Sequence, residues 1–336
     1  MEIKKSLQER ALEADKVLLI GIGGGGDIIQ CIPIRNYLNL LGVNEVMLGG
    51  VNCEWWPFDV EGEHSYALAP NIYDTGELTN AEEVVSRIYK VQGDTRYKDK
   101  GIAEANVAEV FNEETYVFDV SDGVKNLVDS INQFVEKENI DFVVGMDVGS
   151  DSIYSGETEI SQPRTPLVDF ITLSTISEID APTIIGLAGY GCDGEIEEKD
   201  LEENVGKIMS NNGYLGAYGL TQQDVKDLEK ACDAFPDPVE RWPVVAARGD
   251  FGYKNMKLMD AWGVTVKLSP LTSVSLFFDT QVVVNKVAKL AKMLSDTNSF
   301  DEAEEVLISN GVIPETRLPR FVNYLQEKEN EESDQN

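Results

Sequence analysis

The chain has 336 residues, 42% of them hydrophobic, with 28 glycines, enough to bury the core of one large α/β domain or two smaller ones. Sixty acidic residues against 28 basic ones leave a net charge of −32, and such a surface repels nucleic-acid phosphates. No apolar run approaches the roughly 20 residues that span a bilayer, and Met1–Lys5 lacks the apolar core of a secretion signal. A cytoplasmic protein that engages neither nucleic acid nor membrane is therefore expected.

In chain order, residues 3–14 carry the spacing of a short amphipathic helix. Val17–Ile20 reads as a buried strand that runs straight into Gly21-Ile22-Gly23-Gly24-Gly25-Gly26-Asp27. Ile28–Leu41 reads as a helix stopped by Gly42, with Pro33 predicting that the regular helix begins near that proline. Glu45–Leu48 is a second strand, followed by an aromatic loop over Val51–Phe58. Residues 60–113 are polar and broken by glycine and proline, with helical readings for Ala81–Tyr89 and Ile102–Phe111.

Thr115–Val120 reads as a strand, and Gly123–Glu138 as a helix whose apolar face is Val124, Leu127, Val128, Ile131, Phe134 and Val135. A strand over Asp141–Met146 leads into Asp147-Val148-Gly149-Ser150-Asp151. A helix over Pro166–Ile179 and a strand over Pro182–Leu187 lead into Gly189–Glu195. Helices near Leu201–Ser210, Thr221–Ala234 and Trp242–Ala247 follow, then a strand over Gly263–Leu268.

This alternation predicts an α/β fold: a mainly parallel Rossmann-like sheet with helices on both faces and a helical C-terminal region. The expected organisation is one domain over residues 1–278 with a polar insertion near 55–113. Helices over 279–327 pack on it, and the charged tail 328–336 is disordered.

Ligands bind outside the carboxyl ends of strands in open parallel sheets. Three glycine-containing loops begin at predicted strand ends: Gly21–Asp27, Asp147–Glu157 and Gly189–Glu197. All carry carboxylates, which repel one another unless protons or a cation intervene. Asp147, Asp151, Glu157 and Glu195 are the expected ligands of a divalent cation, Mg²⁺ or Mn²⁺, because oxygen-only sets suit those ions. Asp147, Asp151 and Asp193 are the expected acid–base residues.

Gly23, Gly24, Gly25, Gly26 and Asp27 form the expected anion-binding turn at a helix N-terminus. Asp27 would serve equally as the helix N-cap. Arg164, between the second loop and its helix, is placed to hold a substrate phosphate or carboxylate, or to pair with a nearby acid.

Gly21, Gly23 and Gly26 also fit G-x-G-x-x-G, but the second strand ends without the acid that a ribose hydroxyl requires, Glu54 coming late. Cys31, Cys53, Cys192 and Cys232 lie far apart with no C-x-x-C pair, as buried reduced thiols do. His64 is the single histidine and reads as a polar loop residue. Trp55 and Trp56 read as core or interface, or as a stacking lid.

Together, Gly23-Gly24-Gly25-Gly26-Asp27, Asp147-Val148-Gly149-Ser150-Asp151 running through Gly156-Glu157 to Thr165-Pro166-Leu167-Val168-Asp169, and Gly191-Cys192-Asp193-Gly194-Glu195 resemble an uncharacterised family of archaeal and bacterial proteins. That family is catalogued as a domain of unknown function. The resemblance covers roughly residues 15–290 and implies an α/β fold without an established activity. Relatives favour glycine at the position of Ser150.

The leading expectation is a cytosolic hydrolase or transferase acting on a small anionic, phosphorylated or nucleotide-like metabolite, with a divalent cation. An NAD(P)-binding oxidoreductase and a non-catalytic ligand-binding protein are the alternatives. A homo-oligomer is expected.

Overall fold

The computed structural model describes residues 3–58, 67–156, 162–234, 239–255 and 265–317. Helix α1 (Leu7–Ala11) precedes β1 (Lys16–Gly21), α2 (Asp27–Leu41) and β2 (Glu45–Val51). Two hairpins follow, β3 (Cys53–Phe58) with β4 (Ala67–Ile72), and β5 (Leu78–Val85) with β6 (Ile88–Tyr97). Then come α3 (Ala103–Phe111), β7 (Thr115–Phe118), α4 (Gly123–Glu138), β8 (Phe142–Val148), α5 (Pro166–Glu178) and β9 (Thr183–Ala188). The remainder is α6 (Glu198–Ser210), β10 (Tyr214–Gly219), α7 (Gln222–Ala234), α8 (Trp242–Ala247), the hairpin β11 (Gly252–Asn255) and β12 (Thr265–Leu268), β13 (Val274–Asp279), α9 (Thr280–Lys286), α10 (Lys289–Met293) and α11 (Phe300–Ser309).

The main sheet has nine strands in the order β10-β13-β9-β8-β1-β2-β7-β6-β5. Its centre, β9-β8-β1-β2-β7, is parallel throughout. Numbered by chain order those five strands run 5-4-1-2-3, so the order reverses between β1 and β8. That reversal opens a crevice above the carboxyl ends of β1 and β8, where doubly wound folds bind their ligands.

Alternate residues of β1 feed two cores, as the period of two requires. Leu18, Ile20 and Ile22 pack with α4, α5 and the C-terminal helices, whereas Val17 and Leu19 pack with α1, α2, α3 and α7. Both faces are thus covered, and the central strands are buried almost end to end. Among the described residues no helix is long and apolar enough to cross a membrane.

Four expectations need correction. Ala81–Tyr89 forms a hairpin, not a helix: Ala81, Val84, Val85 and Ile88 have helical spacing, but Arg87 turns the chain at φ 68° and Ile88 joins the sheet opposite Phe118. The second helix begins at Asp27, six residues before Pro33, because burial of Ile28, Ile29 and Ile32 outweighs the roughly 3 kcal/mol cost of an interior proline. Cys53–Phe58, expected within an aromatic loop over Val51–Phe58, forms β3 and pairs with β4, whereas the strand expected at Gly263–Leu268 is found over Thr265–Leu268, paired with β11. The antiparallel edge strands β5, β6, β10 and β13 were not legible in the sequence. His64, Glu157 and the tail 328–336 lie outside the described residues.

Candidate functional site

The three loops meet. Ile22 N–H donates to the Met146 carbonyl at 3.0 Å, tying the glycine loop to β8. Gly149 N–H donates to Ala188 and Gly191 N–H to Gly149, both at 2.9 Å, tying the β8 and β9 loops together. Seven carboxylates collect there: Asp27, Asp147, Asp151, Asp169, Asp193, Glu195 and Glu315, all buried.

Hydrogen bonding and position separate six of them into two kinds, with Asp151 set apart by its contact with the Thr165 hydroxyl. Asp193 accepts from the Ser150 hydroxyl at 2.9 and 3.0 Å. Glu195 accepts from the backbone N–H groups of Arg164 and Thr165 at 2.5 and 3.0 Å, and from the Thr165 hydroxyl at 3.0 Å. Glu315, arriving from the far C-terminal segment, accepts from Leu167 and Val168 N–H at 2.9 and 3.0 Å and so caps α5. These three brace the loops and the helix end.

Asp27, Asp147 and Asp169 differ. Each offers an oxygen within 4.8 Å of the others, the span of two oxygens across one ion at about 2.4 Å. Asp27 stands in the first turn of α2, with Gly26 at the N-cap, and its Oδ2 accepts from Gly23 N–H at 2.7 Å. The side chain therefore turns back over the loop instead of capping the helix forward. Asp147, near the end of β8, accepts from the Ser152 hydroxyl.

Asp169 lies one turn into α5, where twelve of thirteen residues are buried. Its Oδ1 is buried with no hydrogen-bond partner. A Cβ on Gly23 would lie 2.7 and 2.8 Å from the Asp169 oxygens and 3.0 Å from Asp27 Oδ2. Only glycine lets these two carboxylates close over the loop. Asp169 was absent from the expected site residues. The available signal was a lone charge in the otherwise uncharged run Pro166–Ser177.

The glycine loop is covered, contrary to the expectation of outward-facing amides. Gly25 N–H donates to the Cys53 carbonyl at 2.7 Å. Added Cβ atoms on Gly24, Gly25 and Gly26 would meet Cys53, Trp55 and Glu240 at 2.6, 2.8 and 2.3 Å. Glu240 thus places its carboxylate at the N-terminus of α2, the position a bound anion would take. Gln30 holds it there by donating to the Glu240 carbonyl at 2.9 Å.

Ser150 has φ −166° and ψ −20°, so the position does not require the positive φ that favours glycine. All four cysteines are buried and none forms a disulfide.

Burial pushes six acids of the centre above their ordinary range. Asp147 rises to about 6 and Glu315 to about 7, both mainly through desolvation. Asp151, Asp169 and Asp193 are likewise raised well above their ordinary range, by desolvation first and then by repulsion from neighbouring carboxylates. Glu195 also rises, with Arg164 and Thr165 pulling against burial.

Folded-state values above unfolded ones mean that the native chain binds more protons. Without metal, stability is therefore highest below the unfolded values and falls as pH climbs through about 4 to about 7. In chelator, melting temperature is expected to drop steadily between about pH 4 and about pH 7, and saturating Mn²⁺ should flatten that slope. A chelator curve that rises over this interval contradicts the buried-acid account.

A doubly wound sheet with carboxylates gathered at its switch point defines an α/β protein of the Rossmann-like class. Residues 18–322 match the family described as "Protein of unknown function (DUF1152)", and the chain belongs to that family. No curated protein and no solved structure matches it.

Proposed function

We propose that the chain is a divalent-metal-dependent enzyme, a hydrolase or transferase acting on a small phosphorylated metabolite, with Asp27, Asp147 and Asp169 holding the cation. The observation that carries this reading is the fully desolvated Asp169 Oδ1, without a partner and beside two further carboxylates at the sheet's switch point. A buried acid left this way is costly unless a proton or cation completes it. The donor set is all oxygen, which favours Mg²⁺, Mn²⁺ or Ca²⁺ over zinc.

A cation held there supplies electrophilic polarisation of a phosphoryl or carbonyl oxygen, or an activated water. Asp151 supplies the acid. Its Oδ2 accepts from the Thr165 hydroxyl at 3.0 Å, and the same hydroxyl lies 3.0 Å from Glu195 Oε1. One hydroxyl carries one proton, so it can serve both carboxyl groups at once only when one of them is itself protonated. Asp193, fixed by Ser150, positions the Gly149 turn.

A dinucleotide finds less support. Asn52, just beyond β2 where a ribose-binding acid would stand, donates to the Tyr73 carbonyl at 2.8 Å and to Asp119 at 2.9 Å, and accepts from Val120 N–H at 2.9 Å. Glu54 accepts from Ala103 N–H at the start of α3 at 2.6 Å.

The test is a Mn²⁺ titration followed by electron paramagnetic resonance, with melting temperature as a second readout. Binding near one equivalent is expected, with stabilisation of about 2.7 kcal/mol once free metal reaches about 100 times Kd. Absence of binding at millimolar metal overturns the reading.

A further inference from the structure

A cleft of about 890 Å³ opens beside the carboxylate centre, between the start of α6 and the β11–β12 hairpin. Arg164 and Glu195 line it, and Glu195 also belongs to the centre, so the two spaces share a wall. The volume suits a ligand of nucleotide size, within the usual range of about 300–1,000 Å³.

The lining is uneven. Tyr190 and Tyr253 supply two aromatic rings, and Tyr253 is 75% exposed although it sits on a paired strand. An aromatic ring left standing in water at a cleft lip has an unfilled apolar face. Glu197, Glu198 and Glu202 line the same space as Lys199 and Lys267, and Lys267 already pairs with Glu198 at 2.7 Å. Such a lining does not attract a phosphate by itself. It does suit a flat group that stacks on tyrosine and offers N–H donors to carboxylates. The remaining cation of the lining, Arg164, stands at the end shared with the centre.

We infer that this cleft holds a nucleoside phosphate, with the base on Tyr253 and Tyr190 and the phosphate at Arg164 beside the Asp27–Asp147–Asp169 centre. This rests on the metal-centre reading only for the phosphate end. The base end follows from the rings and the acidic lining alone. The substrate class thereby narrows from small phosphorylated metabolites to those carrying a nucleobase.

The test compares AMP with ribose 5-phosphate by calorimetry, with and without saturating Mn²⁺, in the unaltered chain and in Tyr253→Ala and Tyr253→Phe. With Mn²⁺, AMP is expected to bind about tenfold more tightly than ribose 5-phosphate, a difference of about 1.4 kcal/mol that one stacked base supplies. Tyr253→Ala should erase that advantage and leave ribose 5-phosphate binding unchanged, and Tyr253→Phe should keep it. Equal affinities for the two probes, or an AMP preference indifferent to Tyr253→Ala, overturns the cleft assignment while the metal centre stands. Mn²⁺ that fails to bind overturns the phosphate end. Adenosine titrated without metal then decides the base end by the same Tyr253→Ala comparison.

Discussion

Asp169→Asn is expected to raise the melting temperature of the metal-free chain and to abolish its response to Mn²⁺. The substitution keeps size and shape and removes one ionisable group from a cluster whose members repel one another. The new amide is a donor placed near Asp27 Oδ2, close to the Gly23 backbone, so the orphaned position of Asp169 Oδ1 gains a bonding possibility. The stabilisation should be about 1–3 kcal/mol, the cost commonly attached to an unsatisfied buried polar group. Affinity for Mn²⁺ should fall more than about 100-fold, since even residues behind the ligands typically change metal affinity by 10–100-fold. The two readouts move in opposite directions, which separates a ligand from a brace. An Asp169→Asn chain that melts earlier and still binds Mn²⁺ normally would show that Asp169 only supports α5.

Gly149→Ala is expected to cost more stability than any single loop truncation in the site. Gly149 has φ 124°, and a Cβ there would lie 2.3 Å from Asp193 Cγ and 2.4 Å from Asp193 Oδ2. Neither side can yield easily. The Gly149 backbone is bonded to both Ala188 and Gly191, and Asp193 is held by Ser150. Steric overpacking contributes about 1–3 kcal/mol and the unfavourable backbone about as much again. A loss of about 4 kcal/mol should lower the melting temperature by on the order of 10 °C. Gly42→Ala is the comparison: φ is 100°, but nothing lies within 4 Å of the added methyl. It should cost only about 1–2 kcal/mol. Equal losses at the two positions would show that backbone conformation alone, and not Asp193, makes glycine necessary at 149.

The central βα alternation was readable because each buried parallel strand is a short apolar run and each covering helix has its own period. Gly123–Glu138 coincides with α4 end to end, and the strands around Val17, Val46, Val143 and Ile184 all appear in the parallel core. The convergence of three acidic loops was readable for the same reason, since parallel strands send every following loop to one edge.

What escaped was non-local. Glu315 reaches α5 from 147 residues away along the chain from Val168. Glu240 covers Gly26 from a still more remote segment. Asp169 looked like one more helical residue because the uncharged run around it announces a buried helix but not which carboxylates its one charge will meet.

The sequence by itself determined the parallel α/β core, the edge at which the three glycine-containing loops gather and the acidic character of that edge, because strand order and loop position follow from local pattern and connection rules. Only the tertiary structure separates the acids proposed as ligands from those that brace the loops. That distinction depends on hydrogen-bond partners, and the partners of Asp193, Glu195 and Glu315 come from other loops, whereas Asp169 Oδ1 receives none. It also decided that the glycine loop is a packing surface for Asp27, Asp169, Cys53, Trp55 and Glu240, since removing a Cβ makes room without specifying what will fill it.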